Sequence, residues 1–124
     1  MAKVTERGAV AVEFALLAPV LIMLLLGIME FGRAYNVQVS LTNAAREGVR
    51  NMAINNSQAG ARAAAKNAAT QLSPALTDAN ITFSAASCAV GAQMTVTISY
   101  PLSTMTGIAG PFGMTGKGTM LCGG

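Results

Sequence analysis

Histidine and tryptophan are absent from this 124-residue chain, and aromatic residues make up only 5% of it. Without histidine there is no Ser-His-Asp triad, no Cys-His pair and no imidazole ligand for a metal ion. Aromatic side chains are scarce and the basic residues form no stripe, which argues against a nucleic-acid site. The sequence therefore predicts a protein with no catalytic residues, no metal site and no cofactor.

Charged residues are also few. They make up 10% of the chain, whereas a typical soluble domain is about 25% charged. The acidic residues are too widely spread for a paired-carboxylate site. They are Glu6, Glu13, Glu30, Glu47 and Asp78. This composition is not that of a charged cytosolic enzyme; it favours a membrane segment joined to a small exported domain.

The two cysteines, Cys88 and Cys122, fit one disulfide bridge in an exported chain. Two free buried thiols are the alternative. Their spacing is far too wide for a Cys-x-x-Cys redox or zinc motif. We therefore expect a structural bridge rather than a reactive site.

An uncharged run, FALLAPVLIMLLLGIM, occupies residues 14–29, and its extension back to Ala9 adds Glu13 as the only charge. A bilayer core needs about 20 apolar residues in a helix. The run therefore predicts a transmembrane helix at 9–32. Pro19 within it favours a local kink, which membrane helices tolerate.

The charges that flank the run predict its orientation. Lys3 and Arg7 precede it, and short basic flanks stay on the cytoplasmic side. The N-terminus is therefore expected inside and most of the chain outside. The alternative is a secretory signal cleaved before Tyr35. The length of the run, Glu13 within it and the helical periodicity that follows favour the membrane anchor.

Helical periodicity continues after the run. Apolar residues recur every three or four positions through 33–54, which predicts an extension of the same helix outside the membrane. The whole helix is expected to be about 45 residues long. A turn cluster follows at 55–60, and then an alanine-rich second helix at 61–72, which Ser73 and Pro74 close.

The remaining chain alternates apolar and polar residues in two places, which predicts strands. The two strands are NITFSA (80–85) and QMTVTISY (93–100). Residues 88–91 are expected to connect them as a hairpin, and Pro101 to end the second strand. The glycine-rich stretch 104–118 is predicted to be a loop, and residues 119–122 a short third strand.

The predicted fold class is α+β. It combines a long N-terminal helix, a second short helix and a small antiparallel sheet of two to three strands, with the outer domain at 55–124. A Cys88–Cys122 bridge would tie the hairpin connection to the chain end. Such a bridge stabilises a small domain whose core is thin.

The segment RGAVAVEF resembles the processing site of type IV-type prepilins. A short basic leader, residues 1–8, ends in Gly8. Ala9 would be the first residue of the mature chain. Glu13 would be its fifth residue, followed by the aromatic Phe14 and the long apolar helix. The resemblance implies cleavage between Gly8 and Ala9.

The resemblance extends over residues 8–53, which are similar to the TadE-like family of pseudopilins. The segments EFAL, PVL, GIMEFGR and NAAREGVR follow in the family's order and spacing. This resemblance implies a minor pilin of the tight-adherence (Flp, type IVc) pilus, used in surface adhesion. The implied partners are a prepilin peptidase, the major Flp-type pilin, a partner pseudopilin and the inner-membrane assembly platform.

The resemblance also implies roles for Glu13 and Phe14 in assembly. Glu13 would pair with the N-terminus of a neighbouring subunit, because a charge in the bilayer core costs a few kcal/mol or more unless it is paired. The implied location is the bacterial inner membrane or the pilus itself, as a fibre, tip or assembly subunit. The alternatives are a Glu13 that simply reaches the membrane edge, and an unprocessed, membrane-anchored binding domain.

Overall fold

A computed structural model of the chain describes residues 2–107 and 110–123. Residue 1 of the predicted leader, residues 108 and 109 of the predicted loop and residue 124 of the predicted outer domain lie outside the described residues. Within the described part the fold is α+β, as predicted. Its elements are α1 (Ala2–Asn55), α2 (Gln58–Ala68), a 3₁₀ helix (Asp78–Asn80), β1 (Ile81–Phe83), β2 (Gln93–Leu102) and β3 (Phe112–Leu121).

The long N-terminal helix predicted from the apolar run is confirmed. α1 is 54 residues long and continues through Pro19. An 18-residue window of this helix has a mean hydropathy of 2.6, and none of that window is buried. By length and composition α1 is a candidate single membrane span. The helix also extends back into the predicted leader.

The chain divides into two units, one ending at Arg33 and the other beginning at Ala34. We call them the N-terminal unit and the C-terminal unit. In the N-terminal unit α1 exposes its apolar side chains, as expected of a surface that meets lipid or other subunits. In the C-terminal unit one face of α1 is buried. The buried side chains of this face are Val37, Leu41, Ala44, Ala45, Val49, Met52 and Ala53.

The turn between the helices is shorter than predicted, and α2 begins earlier. Asn56 follows α1 with a φ of 49°, a left-handed conformation that asparagine tolerates. The Ser57 side chain then caps α2 by accepting a hydrogen bond from the N–H of Gly60 at 3.2 Å. Because this cap starts the helix at once, α2 spans Gln58–Ala68, and the predicted range 61–72 is wrong at both ends.

The sheet is antiparallel, in the order β1-β2-β3. The predicted hairpin of the first two strands is confirmed, since Ile81 lies opposite Ile98 and Phe83 opposite Val96. Alternate residues of β2 point into the core. The buried ones are Met94, Val96, Ile98, Tyr100 and Leu102.

The prediction of a glycine-rich loop at 104–118 is wrong for most of the second half of that range. Residues 112–118 belong to β3, a ten-residue strand that pairs with β2 along its whole length. The short strand predicted at 119–122 is the end of β3, which stops at Leu121. The described part of the chain therefore contains three strands, two of them ten residues long.

The glycines of β3 are explained by the approach of α1. A Cβ added at Gly116 would lie 2.5 Å from the carbonyl carbon and oxygen of Leu41. One added at Gly118 would lie 2.8 Å from the carbonyl oxygen of Ala45. Glycine within a strand marks a place where another backbone comes close. These two residues let the backbone of α1 lie directly on the sheet.

The prediction that Pro101 ends the second strand is also wrong. β2 continues through Pro101, which lies opposite Gly113 of β3, to Leu102. Proline has no N–H to donate, so it fits a strand only where that N–H would meet no partner strand. β1 pairs with β2 no further than Ile98, which leaves Pro101 beyond the end of β1.

Candidate functional site

The residues predicted to act in processing and assembly lie on α1 in the N-terminal unit. Gly8, Ala9, Glu13 and Phe14 are all exposed. A Cβ added at Gly8 would meet nothing within 4 Å. Ala9 and Glu13 are four residues apart in a continuous helix, a rise of about 6 Å, which places them one turn apart on the same face.

Glu13 lies among exposed apolar side chains. Its neighbours Val12 and Phe14 are 61% and 71% exposed. Among the side chains described by the structure, which cover residues 6–107 and 110–123, Glu13 has no ion-pair partner. If this surface is covered by lipid or protein, the carboxylate needs a cation, a hydrogen-bond donor or a proton to offset its desolvation.

Phe14 lies beside an open groove on α1. The groove is lined by Glu6, Arg7, Val10, Ala11 and Phe14. Glu13 is not part of its lining. The structure therefore places the two predicted assembly residues on different parts of the helix surface, as expected for adjacent positions in an α-helix.

The NAAREGVR segment packs against the rest of the C-terminal unit. A Cβ added at Gly48 would lie 3.3 Å from the Cβ of Ala65 and 3.4 Å from the carbonyl oxygen of Ala61, both on α2. Ala44 and Ala45 are fully buried. The small residues of this segment therefore let α1 approach both α2 and β3, while its charged residues remain exposed. The exposed charged residues are Arg46, Glu47 and Arg50.

The geometry thus divides α1 into two parts. The first is the exposed apolar run 9–29, in which Glu13 is the only charge, and the second is the small-residue packing face of the NAAREGVR segment. Residues 8–50 match the TadE-like protein family. This match confirms the predicted resemblance. Searches of curated proteins and of solved structures gave no match. The TadE-like segment begins at Gly8, contains Glu13 and ends within the packing face.

No metal centre accompanies the TadE-like segment in the described part of the chain. The described side chains, those of residues 6–107 and 110–123, include no group of three or more His, Cys, Asp or Glu arranged to hold a metal ion. The features that carry the site are therefore the apolar surface, Glu13 and the packing face.

A disulfide joins Cys88 to Cys122, with the two Cα atoms 5.4 Å apart. Main-chain hydrogen bonds join the same two parts of the chain. The N–H of Gly91 donates to the carbonyl of Cys122 at 3.2 Å, and the N–H of Cys122 donates to the carbonyl of Ala92 at 2.8 Å. The bridge thus fastens the β1–β2 connection to the end of β3, outside the TadE-like segment.

Replacing Cys88 and Cys122 together by alanine should lower the free energy of unfolding of the C-terminal unit by about 4 kcal/mol. The bridge joins two residues that are 34 positions apart in the sequence, and the loop that it closes restricts the unfolded chain. Chemical denaturation of the full chain in detergent, followed through the buried Tyr100, measures the change. Reduction of the wild type should reproduce it, and an unchanged denaturation midpoint in both samples would contradict the prediction.

One exposed ion pair links α2 to the 3₁₀ helix. The Nζ of Lys66 lies 2.7 Å from Oδ1 of Asp78, and the two side chains are 39% and 66% exposed. The hydrogen bond and charge of Lys66 lower the pKa of Asp78 below its usual value. The stabilisation from this pair is therefore present above the ordinary aspartate pKa and is lost as the pH falls through the lowered one. Solvent screening keeps its contribution small.

Sequence reasoning missed Gly116 and Gly118 as structural determinants. The signal that was available is the alternation in GMTGKGTM, where Met114, Gly116 and Gly118 alternate with polar residues. A period of two that includes glycine also fits a strand covered by a closely packed element. Such a strand is easily mistaken for a loop, because glycine is generally depleted in strands.

Proposed function

We propose that this chain is a minor pilin, or pseudopilin, of a tight-adherence (Flp-type) pilus. In this proposal a prepilin peptidase cuts it after Gly8, and the mature chain takes part in pilus assembly for surface adhesion. The observation that carries the proposal is the TadE-like match over residues 8–50, which begins at Gly8 and includes Glu13. The role is structural rather than enzymatic.

The chemistry of residues 8–13 supports this proposal. Cleavage after Gly8 leaves a new ammonium group on Ala9, one helical turn from Glu13. Glu13 of one subunit then pairs with the N-terminus of a neighbour when the apolar surfaces of α1 pack together. A buried ion pair adds little net stability, but an unpaired carboxylate would be strongly unfavourable. The pairing therefore selects the register of packing.

The exposed apolar surface of α1 supports a location in the bacterial inner membrane before assembly. Arg7 precedes the span, which favours a cytoplasmic N-terminus and an outer C-terminal unit. Residues 1–8 are then on the side where a prepilin peptidase acts. The proposed partners are that peptidase, the major Flp-type pilin, a partner pseudopilin, the inner-membrane assembly platform and the lipid bilayer.

The intact mass of the protein purified from its native host tests the proposal. We expect a chain that lacks residues 1–8 and begins at Ala9. A full-length chain would instead favour an unprocessed membrane-anchored domain, and a chain that begins at Tyr35 would indicate a cleaved secretory signal. Substitution of Gly8 by a bulky residue provides the control, because it should preserve the full-length mass if the cut depends on this glycine.

A further inference from the structure

We propose that the open edge of β3 binds an extended, acidic segment of another protein, which joins the sheet as an additional strand. β3 is the last strand in the order β1-β2-β3, and all ten of its residues pair with β2 without a bulge. A long, regular edge of this kind is a template for strand addition. This inference concerns the C-terminal unit and does not depend on cleavage after Gly8.

The register shows which main-chain groups of β3 face the open side. The N–H of Cys122 donates to the carbonyl of Ala92, so even-numbered residues at this end face β2. Odd-numbered residues face outward, and accordingly the carbonyl of Thr115 accepts a hydrogen bond from Nε2 of Gln38 at 2.8 Å. The outward-facing residues are all exposed: Gly113, Thr115, Lys117, Thr119 and Leu121.

The opposite edge of the sheet is protected. β1 has only three residues, and the carbonyl of Ile81 accepts a hydrogen bond from Arg62 of α2 at 3.4 Å. Beyond β1, the side-chain amide of Asn80 donates to the carbonyl of Ser99 at 2.9 Å. A short edge strand is one usual way to prevent strand addition. β3 has ten residues, and strand addition would use the part of its edge beyond the Thr115 carbonyl, which Gln38 already occupies.

The charge of Lys117 on this edge specifies the partner. Lys117 is exposed in the middle of the outward-facing row. Opposite charges on neighbouring strands are favourable and like charges are not. A strand with carboxylates opposite Lys117 therefore fits this edge.

A second copy of this chain does not meet that requirement. Two β3 strands paired about Lys117 would place the two lysines opposite each other. The acidic residues of the chain are all in helices and not in extended segments. They are Glu6, Glu13, Glu30 and Glu47 in α1, and Asp78 in the 3₁₀ helix. The acidic strand must therefore come from another protein.

Synthetic peptides of about ten residues, the length of β3, test the proposal on the full chain in detergent micelles. The acidic probe alternates valine and threonine and has glutamate at its central positions, whereas the basic probe has lysine there. We expect the acidic probe to bind at least about tenfold more tightly. Its binding should also slow amide hydrogen exchange at Lys117 and Thr119, which face the open edge.

An acidic probe methylated on the main-chain nitrogens that face β3 is the control for strand addition, because it keeps the charge but cannot donate those hydrogen bonds. It should fail to bind. Binding of the methylated probe with equal affinity, or equal binding of the acidic and basic probes, would overturn the proposal. A dimer of the chain that protects the same amides without any probe would also overturn it.

Two variants of one residue give a second, independent test. Thr119→Pro removes an outward N–H, and proline is tolerated on an edge strand. Thr119→Val keeps that N–H, and both variants lose the 2.9 Å hydrogen bond between the hydroxyls of Thr119 and Thr95. Only the proline variant should lose the acidic probe. Lys117→Glu should reverse the preference to the basic probe, and an unchanged preference would contradict the charge argument.

Discussion

Replacing Gly116 by alanine is expected to lower the free energy of unfolding of the C-terminal unit by about 3 kcal/mol. The added Cβ would lie 2.5 Å from the carbonyl carbon and oxygen of Leu41 and 2.8 Å from its Cβ. The first two of these atoms are backbone atoms of α1, so no flexible side chain can move aside. Either α1 must lift from β3 or the strand must bend away, and both changes open the core around Leu41.

The matched control is Gly113→Ala. Gly113 is in the same strand, but a Cβ there would meet nothing within 4 Å. This variant should change the free energy of unfolding by no more than about 0.5 kcal/mol. Amide hydrogen exchange of the core residues Val96 and Ile98 in the full chain measures both variants. Equal losses at Gly113 and Gly116 would contradict the role of the α1 contact, because alanine has a higher strand propensity than glycine and should not destabilise an open strand position.

The helices and the first hairpin were predictable because their patterns are local. An uncharged run of helical length and the alternation of Met94, Val96 and Ile98 each indicate one type of element. The third strand was not predictable in the same way. The residues of β3 that face α1 include glycines, which carry no hydrophobic signal. The backbone that requires glycine at these positions belongs to α1, about seventy residues earlier in the chain. Glycine alone does not reveal which backbone approaches it.

Pro101 illustrates the same limit of local patterns. Proline usually ends a strand, and here it does not, because β1 is too short to reach its position. β1 begins only at Ile81, opposite Ile98, because Asn80 belongs to the preceding 3₁₀ helix. The register of a neighbouring strand, rather than the proline itself, decides whether the strand continues.

The candidate site was predicted from spacing counted from Gly8, and not from packing. Within the described chain, Gly8 and Glu13 make no tertiary contact that marks them as functional. This is the expected situation if the partner of Glu13 is supplied by another subunit. The TadE-like match over residues 8–50 includes both Gly8 and Glu13.

Replacing Glu13 by glutamine should abolish pilus assembly while membrane insertion is preserved. Removing a charge from the apolar run should not make insertion harder, because a charged side chain in a membrane helix is costly. The same change removes the carboxylate that we propose to pair with the ammonium of Ala9 on a neighbouring subunit. Membrane fractionation measures insertion, the intact mass shows whether cleavage has occurred, and electron microscopy of the native host counts pili.

Glu47→Gln is the matched control, because it neutralises an exposed glutamate on the same helix outside the apolar run. It should leave piliation unchanged, and Glu13→Asp, which keeps the charge on a shorter side chain, should restore part of it. Normal piliation in Glu13→Gln would remove the proposed role of the carboxylate in setting register. Loss of membrane insertion in that variant would contradict the energetic argument itself, because a neutral side chain cannot make the apolar run harder to insert than a charged one.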